Sequence, residues 1–526
     1  MLCHNLRMDS PVVASESPDA LSGRISWLPV ILASVFGLVI SSAAGTHIVL
    51  VGVMVPIVVA IAWSSPRSLL ILLVVWTTEL GLMRRLTPAG GKVGFSGDPL
   101  LIIGPIMIIC LVLIAGTRYG AFANRTRLAT VVLVFNILAI VEVINPRQGT
   151  LMTGLGGLLF MLVPVSAFWV GRSFVDDSLM KQVIWTIAIL GAITAAYGFF
   201  QQINGFPSWD QTYIHSKSYS ALQVGTTVRP FGTMSSGQEY AGFLCLGLVA
   251  WISLLKEKSR LPRVIHLAMI ALMGTAIFYE SERTAAFLAI LAVAVMAGAW
   301  RKMPPLTLAI VSVLAVFALS FGLGALLGAQ GSGNGVGAGS QQLAQHQLSG
   351  LVDPTGKNSS LSGHLRSNEK AVIQGLTDPS GRGVGSVTLA ASKYSANTGA
   401  EFTYGTEYDP GNMALAFGLP GVVLYFLIVF FGMSTAYRTA MARHDVIGLF
   451  VIGVLAATLL NWFNGDLYSV TWLIWLSMGV ADGFVSRVAR GEIVEPTVTA
   501  VLAEGHMVDE PIPVPTKKPR RWIEPS

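Results

Sequence analysis

The feature that most constrains this chain is a succession of long, nearly uncharged apolar runs that are separated by polar loops. Runs of about 18 or more apolar residues are long enough to cross the hydrocarbon core of a bilayer as α-helices. A backbone inside lipid must satisfy its own hydrogen bonds, which favours helices over open strands. The composition, 53% hydrophobic and 12% charged, fits this expectation. We therefore predict an all-α polytopic membrane protein embedded in a lipid bilayer.

The apolar runs predict about 12–14 transmembrane helices. The candidate ranges are 27–45, 47–63, 68–83, 99–116, 128–144, 151–170, 182–200, 238–255, 264–279, 284–300, 306–328, 411–434, 446–463 and 468–485. The first run resembles a signal sequence, but its amino-terminal flank is not strongly basic, so we expect an uncleaved helix. The third run is short.

The distribution of Lys and Arg predicts the orientation of the helices, because cytoplasmic loops carry an excess of both residues. The short loops near residues 118–127, 256–263, 301–302 and 438–443 hold most of these cations, and so does the tail. We assign them to the cytoplasm, which places the loops at 201–237 and 329–410 outside. The net charge of +6 then reflects topology, and we expect no nucleic-acid partner.

Five regions follow from these patterns. They are a cytoplasmic tail at 1–26, amino-terminal helices at 27–200, a core at 201–435 that includes both outer loops, carboxyl-terminal helices at 436–486, and a Pro-rich disordered tail at 487–526. The longer outer loop, 329–410, is expected to be one large periplasmic loop that covers or forms a site. The three cysteines, Cys3, Cys110 and Cys245, indicate neither a disulfide nor a metal site.

A ring of ionisable residues marks the predicted outer ends of the helices. Such groups cost roughly 2.5–3.5 kcal/mol at a helix centre and less near the interface. The ring therefore suggests a functional site, with interfacial snorkelling as the simpler explanation for part of it. Its members are Glu79, Glu142, Glu239, Glu280, Glu282 and Asp466, accompanied by Arg84, Arg85, Lys92, Arg229 and Arg283.

Two short segments of this ring have distinctive chemistry. In the first, Arg229 precedes a small polar run that leads into a helix, and Glu239 falls in the first turn, where the helix dipole favours an acid. In the second, Arg283 begins an apolar run after a tight turn. A guanidinium there needs a partner, which is either Glu280, Glu282 or an anionic ligand such as a phosphate.

The large outer loop carries the third segment. Residues 364–386 predict a short amphipathic helix and a Gly turn, with Arg366, Lys370 and Arg382 as cations. The loop closes on Asp409 and Asn412, which bracket a Pro-Gly turn at the start of the next helix. Both residues also suit turn and N-cap roles.

These segments, in this order, resemble the O-antigen ligase and polymerase-like family of bacterial integral membrane proteins. The resemblance spans roughly residues 190–435 and rests on a set of short motifs. They are Arg229 with Gly232 and Gln238-Glu239, then Ser281-Glu282-Arg283, then Arg366, then Gly383-Val384-Gly385, then Asp409-Pro410-Gly411-Asn412, and then Gly418-Leu419-Pro420-Gly421. Ligases of that family carry a histidine at the loop exit, where this chain has none, since His346 and His364 lie upstream. The departure favours the polymerase or exopolysaccharide members.

The resemblance implies a glycosyltransferase on the periplasmic side of the bacterial inner membrane, with a polyprenyl-pyrophosphate-linked glycan as donor and no cofactor or metal. An acceptor hydroxyl would displace the lipid pyrophosphate, which fixed cations stabilise. The expected pyrophosphate and glycan ligands are Arg229 and Arg283, assisted by Arg366, Arg84, Arg85 and Asn412. The candidate general bases are Asp409, ranked first, then Glu239 and Glu407. A flippase and chain-length regulator proteins are further candidate partners.

Two alternatives remain. A ligase would transfer the finished glycan from lipid pyrophosphate to lipid A-core, using the same donor chemistry. A transporter or lipid flippase would suit the number of helices. Transporters, however, place charges or broken helices near the midplane and contain inverted repeats, whereas the charges here gather at the outer face.

Overall fold

The structure is a computed structural model. It describes residues 47–86, 98–216, 223–257, 261–315, 338–352, 361–388, 391, 405–465 and 467–492. The expected helix at 27–45, the tail at 1–26, Lys92, Asp466 and most of the carboxyl-terminal tail lie outside the described residues. Contacts divide the chain into two compact units, residues 1–486 and 487–526.

The described chain is an all-α polytopic membrane protein, as the apolar runs predict. Eight of its helical segments are long and apolar enough to cross a membrane, and shorter apolar helices at Leu50–Ser64, Pro305–Ala315 and Val446–Ala457 accompany them. Within the described ranges, strands occur in one small antiparallel hairpin, in which Gln223 is opposite Val228 and Val224 is opposite Thr227.

The helices are numbered here in chain order. The amino-terminal part contains α1 (His47–Ser64), α2 (Pro66–Leu86), α3 (Ile103–Tyr119), α4 (Arg127–Val141), α5 (Leu151–Gly157), α6 (Val163–Ser173) and α7 (Asp177–Asn204). A 3₁₀ turn, Pro99–Ile102, leads into α3, and a π-helical turn, Leu158–Leu162, joins α5 to α6.

The second part begins with α8 (Ser208–Ser216) and the hairpin of β1 (Gln223–Val224) and β2 (Thr227–Val228). The helices that follow are α9 (Gly237–Leu254), α10 (Arg263–Glu280), α11 (Arg283–Trp300), α12 (Pro305–Ala315), α13 (Ala338–Val352), α14 (Leu361–Thr377), α15 (Asp409–Arg443), α16 (Val446–Ala457) and α17 (Thr471–Ala489).

Several predicted helices differ in length from those observed, and the longest extension is at 411–434, observed as Asp409–Arg443. Two further differences concern the third helix and the one after Arg443. The third, expected to be short at 68–83, is the 21-residue α2. The one expected at 446–463 ends at Ala457, because Thr458 leaves the helical region with φ −127° and ψ 16°. The residues after it turn back to meet Asp409, whose carboxylate accepts hydrogen bonds from the backbone N–H groups of Trp462 and Phe463. Tertiary contacts therefore end this helix early.

The described part of the large loop contains two helices, α13 and α14. The amphipathic helix predicted there is α14, which lies against the start of α15. Gly375 faces Ala414 so closely that a Cβ at 375 would come within 2.6 Å of the Ala414 Cβ. The predicted Gly turn follows, with positive φ at Gly381 (64°) and Gly383 (95°).

A break at Gly418 divides α15 into a short buried segment and a long one. Gly418 has φ 62° and ψ −148°, which L-residues with a Cβ adopt only with strain. A Cβ there would also lie 2.3 Å from the Pro379 carbonyl oxygen. The backbone N–H of Arg382 donates to Leu415 O (2.9 Å) and that of Gly383 to Ala416 O (2.9 Å). The loop after α14 thus satisfies carbonyls that the break leaves open.

Ion pairs identify one end of the bundle, which we call the tail end. Arg67 pairs with Asp176 at the α6–α7 turn, and Arg443 pairs with Asp177 (2.6 Å). Lys256 Nζ lies 3.1 Å from His444 Nε2. The loops that the Lys/Arg bias assigned to one side therefore meet at one end of the molecule.

The opposite end, which we call the loop end, gathers the outer segments. Arg84 at the end of α2 donates to Asp98 (2.9 Å), and Arg229 before α9 lies against Glu280 at the end of α10. Arg147, just beyond α4, bonds to Asp378 in the loop after α14 (2.5 Å). Contacts between residues far apart in the sequence thus hold Arg84, Arg229 and Glu280, three members of the predicted ring, at this end.

Candidate functional site

Arg85 is committed to a buried structural ion pair. Its Nε lies 2.7 Å from Asp210 Oδ1, with both side chains fully buried, and its Nη2 donates to Gly232 O at 2.6 Å. The guanidinium also lies 4.8 Å from the centroid of the Phe231 ring. Arg85 therefore fixes α2 to the segment before α9, and the predicted role in binding substrate has no geometric support.

Arg84 is likewise paired within the protein. Its Nε donates to Asp98 Oδ2 at 2.9 Å, and the other carboxylate oxygen of Asp98 lies 2.9 Å from His47 Nδ1. Arg84 is only 4% exposed. These two arginines depart from the positive-inside expectation, and each has an acidic partner within the protein.

Glu239 caps the start of α9. Its carboxylate accepts hydrogen bonds from the backbone N–H of Ser235 (3.0 Å) and of Ser469 (2.9 Å), while its own N–H donates to Ser236 Oγ (3.1 Å). This arrangement resembles a capping box. A carboxylate that is buried and already accepts two backbone N–H groups is poorly placed to take a proton from a substrate.

Asp409 and Asn412 hold the loop exit in place. Besides receiving two backbone N–H groups, Asp409 donates its own N–H to Leu460 O (3.0 Å), and the residue is fully buried. Asn412 Oδ1 accepts from the Thr406 N–H at 2.6 Å, and Asn412 Nδ2 donates to Thr406 O at 2.9 Å. The geometry therefore favours a positioning role for both residues. Asp409 is no longer the first candidate for the general base.

Arg229 lies beside the carboxylate of Glu280. Its Nη1 is 3.3 Å from Glu280 Oε1, and the Glu280 side chain is fully buried. Gly237, the first residue of α9, makes room for the pair, since a Cβ there would come within 2.8 Å of Glu280 Oε1. Glu280 is thus the partner of Arg229, whereas the sequence offered it as a partner of Arg283.

The turn between α10 and α11 is tight and specific. Ser281 adopts a left-handed conformation with φ 73°, and its hydroxyl donates to Leu343 O in α13 (3.2 Å). The backbone N–H of Glu282 donates to Glu280 Oε2 at 2.8 Å. This turn directs the Arg283 side chain at α13, where it meets His346 and Ser349.

Arg283 is held by neutral acceptors. Its Nη2 donates to His346 O at 3.0 Å and lies 3.3 Å from His346 Nδ1 and from Ser349 Oγ. Its Nη1 is buried, and among the described residues it has no hydrogen-bond partner. No carboxylate of the described chain forms an ion pair with Arg283, so its charge remains available for an anion.

Two groups near Arg283 have strongly perturbed acidity. Burial raises the pKa of Glu282 to about 7, although Arg229 opposes the shift and Glu407 adds to it. Burial lowers the pKa of His346 to about 4, and repulsion from Arg283 and Arg229 contributes. His346 is therefore neutral at pH 7, and Glu282 titrates there. Titratable groups perturbed by burial and nearby charge are typical of functional sites.

Glu407 is the accessible one of the three predicted carboxylates. It is exposed, and its Oε1 lies 3.2 Å from His364 Nδ1 on α14. The neighbouring Tyr408 hydroxyl lies 3.3 Å from Thr284 Oγ1 in the first turn of α11. Glu407 thus lies at the exposed edge of the α10–α11 turn. It is close enough to Glu282 to help raise the pKa of that carboxyl.

Arg366 is exposed on α14. In the described ranges no hydrogen bond or ion pair joins it to Arg283. Gln347, by contrast, did not stand out in the sequence, yet it is fully buried in α13. The available signal in the sequence is spacing. Gln347 lies four residues after Leu343, so the two share a helical face, and Leu343 is buried.

The site is therefore a cluster at the loop end, formed by Arg229, Glu280, Glu282, Arg283, His346 and Gln347. Comparisons of this chain with protein-family models, with curated proteins and with solved structures found no match.

Proposed function

We propose that this chain is a glycosyltransferase that assembles surface polysaccharide at the outer face of the bacterial inner membrane. It would polymerise oligosaccharide repeats carried on polyprenyl pyrophosphate. The observation that carries the proposal is Arg283, a partly buried guanidinium with no carboxylate partner in the described chain, beside the Arg229–Glu280 pair. In this proposal the chain has about 12–14 transmembrane helices, and the loop end is periplasmic.

The leaving group explains why cations are needed. When the bond between the anomeric carbon and the pyrophosphate oxygen breaks, negative charge develops on the lipid pyrophosphate. Arg283 can donate from Nη1, and the Arg229–Glu280 pair lies close by and can offer further N–H donors. Guanidinium groups suit phosphate oxygens because they donate in pairs. Fixed cations that stabilise a developing anion lower the barrier without reorganisation.

The acceptor requires a base. In this mechanism the acceptor hydroxyl oxygen forms a bond to the anomeric carbon, and its proton passes to a carboxylate. Glu407 suits the role because it is exposed at the rim of the cluster, where a growing glycan has access. Asp409 and Glu239, in contrast, each accept two backbone N–H groups. The released lipid pyrophosphate remains beside the arginines until it diffuses away.

The test compares Arg283→Ala with Arg301→Ala, a matched change of an exposed arginine at the tail end. Each variant replaces the wild-type chain in its own host, and surface polysaccharide is separated on a gel. We expect single-repeat products from Arg283→Ala and a normal ladder from Arg301→Ala, with equal amounts of both proteins in the membrane. A normal ladder from Arg283→Ala would refute the proposal.

One observation favours the ligase as the second candidate. His346 Nδ1 lies 3.3 Å from Arg283 Nη2, so a histidine is close to the candidate phosphate site although the loop exit lacks one. The same gel separates the two functions. Loss of a ligase leaves full-length glycan on the lipid carrier, whereas loss of a polymerase leaves single repeats.

A further inference from the structure

Gln347 presents an unusual combination of burial and unmet hydrogen bonding. Its side chain is fully buried, yet within the described residues neither its amide oxygen nor its amide nitrogen has a hydrogen-bond partner. Leaving a buried amide unpaired destabilises a fold, and most buried side-chain polar atoms in proteins are paired. A partner supplied by a ligand would account for this side chain.

The position of Gln347 relates it to the cluster. The preceding residue, His346, receives the Arg283 guanidinium on its carbonyl oxygen at 3.0 Å. Leu343, one helical turn earlier on the same face, receives the Ser281 hydroxyl. Residues four apart share a helix face, so Gln347 is on the side of α13 that faces the α10–α11 turn.

The same cluster contains other buried atoms without hydrogen-bond partners in the described chain, among them Arg283 Nη1 and Glu282 Oε2. The guanidinium donates, the ionised carboxylate accepts, and the Gln347 amide does both. A phosphate would suit the guanidinium and the amide nitrogen of Gln347, but it cannot donate to a carboxylate or to an amide oxygen. Hydroxyl groups donate and accept, so a sugar that carries several of them matches the whole set.

We propose that Gln347 binds hydroxyl groups of the sugar unit attached directly to the pyrophosphate of the donor. Arg283 then holds the pyrophosphate, and Gln347 discriminates the sugar next to it. The inference rests on the proposed function, since it assumes a pyrophosphate-linked sugar as ligand. In this proposal α13 covers the α10–α11 turn and also helps to recognise the donor.

The experiment measures affinity with the full chain in lipid nanodiscs. The probes are farnesyl pyrophosphate and three glycosylated forms that carry glucose, galactose or N-acetylglucosamine. The variants are Gln347→Leu, Gln347→Met and Arg283→Ala. The matched control is Gln345→Leu, the same change at an exposed position of α13. A cooperative thermal unfolding transition establishes that each variant is folded. Two apolar replacements of Gln347 are used so that the test still works if one of them does not fold.

We expect the wild-type chain to bind at least one glycosylated probe more tightly than farnesyl pyrophosphate. Gln347→Leu should weaken binding of that probe about tenfold, the loss of one or two hydrogen bonds, and leave farnesyl pyrophosphate unchanged. Gln345→Leu should match the wild type for both probes.

Two results would overturn the inference. One is equal affinity of the wild-type and Gln347 variants for the glycosylated probes, and the other is a wild-type chain that binds no glycosylated probe more tightly than farnesyl pyrophosphate. Failure of the proposed function would look different, because Arg283→Ala would then bind farnesyl pyrophosphate as tightly as the wild type does.

Discussion

The tail end and the loop end of this bundle both hold arginines, but they use them differently. At the tail end, Arg172 donates from Nε to Asp482 (2.7 Å), from Nη1 to Ala121 O and Ala123 O, and from Nη2 to Asn124 O and Ser486 Oγ. All five of its N–H groups thus have acceptors. At the loop end, Arg283 has only neutral acceptors among the described residues, and its buried Nη1 has none.

The difference separates arginines that stabilise the fold from arginines that can bind a ligand. A buried cation is tolerated when a carboxylate and carbonyl groups compensate its charge, as they do for Arg172. An incompletely compensated one costs stability, and natural proteins keep such costs where function requires them. Arg85, at the loop end, behaves like Arg172, so the distinction depends on partners and not on location.

The largest expected effect comes from Asp482→Ala at the tail end. The change removes the carboxylate of Arg172, whose side chain is 5% exposed, and leaves an uncompensated buried charge. We expect a loss of about 3–5 kcal/mol in the free energy of unfolding, measured by titration with denaturing detergent.

Asp177→Ala is the control, since the Asp177 side chain is 59% exposed and exposed pairs contribute about 0–1 kcal/mol. Arg283→Ala should also change stability little, because it breaks no ion pair. If Arg283→Ala destabilised as much as Asp482→Ala, the contrast between the two ends would not hold.

Gly237→Ala should disturb the site more than the fold. The new Cβ would lie 2.8 Å from Glu280 Oε1 and displace the carboxylate from Arg229. Alanine is a better helix former than glycine by about 1 kcal/mol, which offsets the steric cost. We expect about tenfold weaker binding of farnesyl pyrophosphate with a nearly unchanged melting temperature.

Gly274→Ala, in the middle of α10, is the matched change, since a Cβ there meets nothing within 4 Å. It should leave affinity close to wild type and raise the melting temperature slightly, because alanine is the better helix former and meets no steric cost there. Equal affinities of the two variants would show that the Arg229–Glu280 geometry does not matter for binding.

The two ends should also respond oppositely to pH. Burial raises the pKa of Glu282 to about 7 from 4.5, so its contribution to stability is full below about pH 4.5 and declines as the pH rises through 7. Burial would also raise the pKa of Asp445, but hydrogen bonds from Arg443 and from the Gly448 N–H lower it below 3.8. That contribution is present above pH 3.8 and is lost as the pH falls through the folded value.

Glu282→Gln should therefore remove a decline in stability between about pH 5 and 7, on the order of 1 kcal/mol after screening by solvent. Asp445→Asn should change the profile only below about pH 4. Unfolding free energies from pH 2 to 8 measure both effects. Parallel profiles for wild type and Glu282→Gln would contradict the assignment.

The smallest expected effect is a gain in stability for Gln347→Leu. The change removes a buried amide without hydrogen-bond partners in the described chain and replaces it with an apolar group of similar size. We expect the free energy of unfolding to rise by about 0.5–1 kcal/mol. Gln345→Leu, at an exposed site, should leave it unchanged, and a clear loss for Gln347→Leu would show that the amide supports the fold.

Much of the fold could be predicted from the sequence. Residues 99–116, 238–255 and 284–300 lie within a few residues of observed helices, because apolar runs of this length have few alternatives in lipid. The sequence also singled out the Ser281-Glu282-Arg283 turn, where an arginine at the head of an apolar helix is chemically conspicuous. It ranked Asp409 above Glu407 as the candidate general base. Nothing in the sequence shows that the backbone N–H groups of residues 462 and 463 donate to the Asp409 carboxylate.

The sequence alone thus determined that this is a multi-pass helical membrane protein with its ionisable groups gathered at helix ends, since hydropathy and charge act locally along the chain. Only the tertiary structure decided which arginines are neutralised. Arg85 meets Asp210, and Arg229 meets Glu280, across separations in sequence that no local pattern records. Arg283 meets a carbonyl of α13 instead of a carboxylate. Which group pairs with each arginine depends on how the helices pack. That pairing distinguishes an arginine that stabilises the fold from one that can bind a ligand.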